Sequence, residues 1–190
     1  MLRRIIAAME AKGHRIYRGG RHDLNIVGIR SAAHPNRFDD LITVFSRHQD
    51  WLFWVFPATT DPGAYYLERP VNGEGTAILA PGQYRSAYAI GKHRGQYDAL
   101  IQVRPVTVFR DKNRDRRVDT DQLTATGLYG INIHRAMRDG EAENVDRFSA
   151  GCQVIQNPAD FDILMAMARA GADAYGNAFT YTLLDEVDLQ

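Results

Sequence analysis

At 190 residues, 45% hydrophobic and 24% charged, the chain is long enough for one domain with a sizeable core and short for two. Its 23 basic and 23 acidic side chains cancel, which argues against nucleic acid or an anionic membrane as main partner, because neither is favoured without a basic excess. A single cysteine, Cys152, excludes an internal disulfide.

The opening stretch, MLRRIIAAMEAKGHR, has an apolar run too short for a secretory signal, and Glu10 and Lys12 interrupt it. No apolar stretch approaches the roughly 18 residues of a membrane span. The expectation is a soluble protein made in the cytoplasm, without a signal peptide, that would meet a cell wall only after release or export. Leu2 to Lys12 has helical periodicity, with Leu2, Ile5, Ile6 and Met9 on one face and Gly13 as a stop. Asp23 to Arg30 reads as a strand. Residues 1–40 are taken as an N-terminal extension packed on a domain of residues 41–190.

From Phe38 the pattern becomes strongly β. FDDLITVFSR and WLFWVFPATT are rich in aromatic and β-branched residues, with a turn at His48-Gln49-Asp50. Trp51, Trp54 and Phe56 are expected in the core. Further strands are expected at Thr76–Leu79, Tyr84–Ile90, Ala99–Val103, Val106–Arg110 and Leu128–His134. A turn at Ser149–Cys152 follows, and Gln153–Gln156 leaves it. Pro158 to Ala170 is the clearest helix: Asn157 is a natural N-cap, Pro158 suits the first helical position, and Gly171 reads as its stop. Ala178–Leu184 is the last strand. The fold class is mostly β, mostly antiparallel, with two helices in a single domain.

Cys152 sits in Ser149-Ala150-Gly151-Cys152, a run of small residues that suits a tight turn. A lone cysteine there is a small buried hydrophobe, a surface thiol or a nucleophile. A nucleophile needs a neighbouring base, and an exposed turn lets a carbonyl and backbone donors approach it. His134, eighteen positions earlier at a strand end, is the candidate base. The N–H groups of Gly151 and Cys152 would face an oxyanion. A backbone carbonyl would suffice to orient the imidazole.

This arrangement resembles the L,D-transpeptidase catalytic domain, the YkuD-type family. Its signature is a histidine, 14 to 17 residues, then Ser/Thr-His-Gly-Cys followed closely by Arg or Asn. Here His134 is followed by fourteen residues and then Ser149-Ala150-Gly151-Cys152. The strand Gly130–His134 and the capped helix, turn and closing strand after the cysteine are similar to the family's. The likeness covers about Leu128 to Leu184, and residues 1–40 not at all. It implies a β-sandwich or partly open barrel, and cysteine-dependent acyl transfer or hydrolysis on a peptide such as a peptidoglycan stem, as transpeptidase, carboxypeptidase or endopeptidase. It implies Cys152 as the acylated nucleophile and His134 as base. The Arg135 carbonyl would orient the ring, Ser149 would support the turn, and Gly151 and Cys152 would form the oxyanion hole. A phage lysis protein or an exported antibacterial effector fits such an activity. The chain departs from the signature at Ala150, where the family has histidine, and at Val154, where it has a polar residue. These departures motivate the alternative of a non-catalytic binding or structural module with the same fold.

Substrate contacts are expected from Tyr88, His93 and Arg147. His14, His22, His34 and His48 read as solvated or capping residues. No cofactor is expected. The acidic spacing Asp111-x-Asn113-x-Asp115-x-x-x-Asp119 is that of a calcium loop, yet Arg116 stands where glycine belongs and Gln122 where a bidentate glutamate belongs. Lys112, Arg114, Arg116 and Arg117 add repulsion. A polar hairpin connection held by Asx turns is the fuller account.

Overall fold

The computed structural model describes residues 1–32, 36–120 and 124–190. The elements in chain order are α1 (Leu2–Ala11), β1 (Asn25–Arg30), β2 (Asp40–Arg47), β3 (Trp51–Thr59), α2 (Ala64–Glu68), β4 (Thr76–Leu79) and β5 (Gly82–His93). They continue with β6 (Tyr97–Gln102), β7 (Val106–Asp111), β8 (Thr124–Gly127), β9 (Ile133–Arg135), β10 (Gln153–Ile155), α3 (Pro158–Tyr175), β11 (Phe179–Asp185) and a 3-10 turn at Glu186–Leu189. The chain is mostly β, in one domain.

Eight strands hydrogen bond in the closed order β1-β11-β5-β6-β9-β10-β3-β2, and β4-β7-β8 form a small second sheet. The ring is uneven. β2 and β3 pair over eight residues, from Asp40–Ala58 to Arg47–Trp51, whereas β6 meets β9 only through Leu100 and Ile133. The strand order closes on itself only through that single β6–β9 pair, and α2 is a third, short helix.

The period-2 alternation of the strands sorts their side chains into two cores. Ile26, Ile42, Val44, Phe56, Tyr88, Leu100 and Tyr181 share one with Phe161, Leu164, Met165 and Ala168 of α3. Val27, Ile29, Phe45 and Leu184 face the other way and are covered by Ile5, Ala8 and Met9 of α1. Burial of Ile5 and Met9, 0% and 1% exposed, stabilises this contact by about 1.5–3 kcal/mol each. The division expected at residue 40 does not follow the sheet. Only α1 lies outside it, while β1 pairs parallel with β11 and antiparallel with β2. The aromatics of β3 also divide. Phe56 is buried, Trp54 packs on the inner core, and half-buried Trp51 joins the outer one, edge-on to Phe45 at 5.5 Å.

Two local expectations are corrected for identifiable reasons. α3 does not stop at Gly171 but runs to Tyr175, capped at its start by the Asn157 side chain on the Ala159 N–H. Gly171 is buried because a Cβ there would lie 3.0 Å from the His22 carbonyl oxygen, so it serves close packing. The strand expected from Leu128 is shorter: Gly130 turns the backbone at φ of 70°, and only Ile133–Arg135 is strand. Gln102 replaces the ladder. Its Oε1 accepts from Tyr129 and Ile131 N–H at 3.0 and 3.1 Å, and its Nε2 donates to the Arg104 and Gly127 carbonyls at 2.9 Å each.

Candidate active site

β9 and β10 are parallel neighbours, and this brings the two ends of the motif together. Gln153 pairs with Ile133 and Val154 with His134, so Cys152 lies alongside Asn132. The half-buried Sγ accepts from the Asn132 N–H at 3.5 Å and donates to the Gly130 carbonyl at 3.4 Å. Among the described residues, no hydrogen bond joins Sγ to the His134 ring.

His134 is 5% exposed. Its Nδ1 lies 2.8 Å from the Arg135 carbonyl oxygen and 3.4 Å from the Tyr97 hydroxyl. A carbonyl only accepts, so Nδ1 carries the proton and Nε2 is left as the lone-pair nitrogen. His93 stacks on this ring, with centroids 4.1 Å apart, and the Asn132 side-chain amide meets His93 Nδ1 at 3.0 Å. The Arg135 guanidinium lies 4.1 Å over the Tyr97 ring. Cys152, His134, His93 and Arg135 are thus brought into one cluster, with Asn132 and Tyr97 as further members. Alternation marks Asn132, two before His134 on the same strand face, but nothing local marks Tyr97.

The turn is held from within. The Ser149 hydroxyl, fully buried, donates to the Cys152 carbonyl at 2.8 Å and accepts from the Gly151 N–H at 3.1 Å. Gly151 N–H is therefore occupied and does not face an oxyanion. The serine closes a local side-chain turn that consumes that donor. The Cys152 N–H has no acceptor among the described residues. Behind the turn, buried Gln153 donates from Nε2 to the Thr60 and Gly151 carbonyls at 3.2 and 3.3 Å and accepts from Tyr181 at 2.8 Å. Gly151 has φ of 122°, and a Cβ on it would lie 2.2 Å from the Ala77 carbonyl oxygen of β4. Only glycine fits both the backbone and the gap.

Two expected substrate residues lie elsewhere. Tyr88 is 0% exposed and packs edge-on to Tyr181 at 5.7 Å, so it is a core residue rather than a cleft wall. Its inward orientation follows from the strand's alternation, because it shares a face with the barrel interior. Arg147 is exposed and stacks on Tyr65 at 4.2 Å, and no contact joins it to Cys152 or His134 among the described residues. Val154 is fully buried in β10, and Ala150 is half-buried. His22 and His48 are exposed and His14 is half-buried, while His34 and Gln122 lie outside the described residues.

The electrostatics favour a neutral pair. Burial, then the charge of His93, hold His134 down at about 3. Burial pushes the Cys152 thiol up, against opposing contributions from the Asn132 N–H and Arg94. Beside Tyr97 and Arg135 opens a cleft of about 800 Å³, lined also by Gln96, Arg138, Asp139 and Asp162, which presents both signs of charge. A second cavity, of about 620 Å³, is lined by Arg30, Asp61, Phe109 and Asp185, and neither Cys152 nor His134 lines either of the two.

Among the described residues no helix is long and apolar enough to cross a membrane. No family model, no curated protein and no solved structure matches the chain.

Proposed function

We propose that the protein is a cysteine-dependent acyltransferase or hydrolase acting on a peptide, of the kind its likeness to L,D-transpeptidases implies, with a peptidoglycan stem as the substrate class. The observation that carries this reading is the Nδ1–H···O=C bond from His134 to Arg135, which leaves Nε2 as the lone-pair nitrogen on the strand beside the cysteine turn. In the proposed reaction the thiol leaves the Gly130 carbonyl and gives its proton to Nε2 as sulfur attacks the substrate carbonyl carbon. The Cys152 N–H faces the developing oxyanion. The carbon–nitrogen bond then breaks, the amine departs with the proton from His134, and a thioester remains on Cys152. Water or a second amine, deprotonated by Nε2, releases the acyl group. The mixed charges of the cleft suit a peptide bearing both a carboxylate and an amine.

The test is intact mass after incubation with a carbapenem. One adduct on the wild type that is absent from Cys152→Ala supports the reading, and the same adduct on Cys152→Ala removes Cys152 as nucleophile. A non-catalytic module is the second reading, favoured by the uncharged thiol bonded to Gly130. Muropeptide digestion separates the two, because a module leaves every muropeptide mass unchanged.

A further inference from the structure

We propose that the loop following β7 is a calcium site, with side-chain oxygens of Asp111, Asn113, Asp115 and Asp119 and the backbone carbonyl of Arg117 as ligands. The observation that separates this loop from an ordinary acidic turn is Asp111. It is 1% exposed, and neither of its carboxylate oxygens has a fully formed hydrogen bond, with only the Asn113 and Asp119 N–H groups close by. A carboxylate taken out of water without a partner costs several kcal/mol, so it is kept where a cation compensates it.

The backbone already has the form such a loop requires. The Asn113 Oδ1 accepts from the Asp115 N–H at 3.1 Å and the Asp115 Oδ1 from the Arg117 N–H at 2.8 Å, which makes two successive Asx turns at positions three and five. Arg116, at the position where glycine is usual, adopts φ of 67°, the left-handed conformation glycine would take there. The objection raised by that residue type is therefore met in the backbone. Nearby cations turn away. Lys112 lies 3.6 Å from Glu74 and Arg116 3.9 Å from Glu68, and Arg114 and Arg117 are exposed. The Asn113 amide meets Asp119 at 2.5 Å, which brings the third and ninth positions together. Among the described residues no three acidic, histidine or cysteine side chains already converge at metal-binding distance, so ion entry draws Asp115 and Asp119 towards Asp111. With no bidentate glutamate in this ligand set, the affinity belongs to the weak range, about 10⁻⁴–10⁻³ M.

The experiment uses the full chain, stripped with a chelator and titrated with calcium chloride by calorimetry and thermal melting. The expected result is one calcium per chain and a Tm rise of roughly 3–5 °C at a tenfold excess over Kd. Magnesium at the same concentration gives a smaller rise, because it gives up its water reluctantly. Asp115→Ala, an exposed position, weakens binding by about tenfold or more without loss of fold. Asp111→Asn melts higher than wild type in chelator, because it removes the unpaired charge, and no longer responds to calcium. The proposal is overturned by the absence of heat and Tm change at about 10 mM calcium, or by wild-type binding in both variants.

Discussion

The imidazole of His134 lies face to face with that of His93, with centroids 4.1 Å apart and planes 27° from parallel. Two imidazolium ions cannot share that arrangement at low cost, so each ring disfavours charge on the other. Burial first, and the stacked His93 second, set the protonation state in which the pair must work.

The pH dependence follows from it. His134 stays neutral down to about pH 3, and burial keeps the thiol protonated past the ordinary range. The competent neutral pair therefore exists across the whole interval between them. Carbapenem acylation of Cys152 is expected to be flat from about pH 5 to 8, with no limb near the ordinary histidine value of about 6.5. Iodoacetamide alkylation at pH 7 is expected to be no faster than for a free thiol. An inflection at pH 6–7 that disappears in His134→Ala would show that the ring titrates normally.

His93 is expected to act by positioning. His93→Ala removes the stack and the contact with Asn132, and should slow acylation by about threefold to tenfold, the rate equivalent of an aromatic contact of 0.5–1.5 kcal/mol. His93→Phe keeps the stack and should lie within about threefold of wild type. Equal losses in both variants would assign the effect to the Asn132 contact instead.

Ser149→Ala strands the Gly151 N–H and the Cys152 carbonyl together. Leaving a buried polar group unsatisfied costs about 1–3 kcal/mol, so a fall in urea midpoint of that size is expected, with unchanged slope. An unchanged midpoint would mean that water replaces the hydroxyl.

Arg30 and Asp61 form a buried pair at 2.8 Å beside Asp40. Asp40 is raised to about 7 by burial and by Asp61, against three hydrogen bonds from Thr60 and Ser31. The folded chain thus holds more protons than the unfolded one between about 3.8 and 7. Its contribution is full below the lower value and is lost as pH rises through the upper one. Arg30→Met should cost about 3–5 kcal/mol at pH 8 and clearly less at pH 5, where the carboxylates left behind take up protons. Denaturant melts at both pH values check the sign, and a larger loss at pH 5 would reverse it.

What was legible in the sequence is what short-range physics decides. Asn157-Pro158 announced the start of α3, and aromatic and β-branched runs announced β2 and β3. The small-residue turn at Cys152 could also be read directly. Contacts across the ring could not be read. Tyr88 and His93 lie on one strand, yet one turns into the core and the other meets β9, and only the closed pairing decides which. The fate of Gly151 N–H depended on a serine rotamer, and the end of α3 on a glycine that packs rather than terminates. Gln102 hid a missing strand because a side chain performed the work of a ladder.

The glycine at position 151 leaves no space between the cysteine turn and β4, and Gly75, just before β4, sits equally tight against the Asp111 carbonyl. The four residues of β4 therefore act as a rigid spacer with the acidic loop at one side and the thiol at the other. The loop and the sulfur are thus joined by backbone packing, without any chain of charges between them. In this chain the position of the thiol is set by the packing of the small sheet as much as by the residues of its own turn.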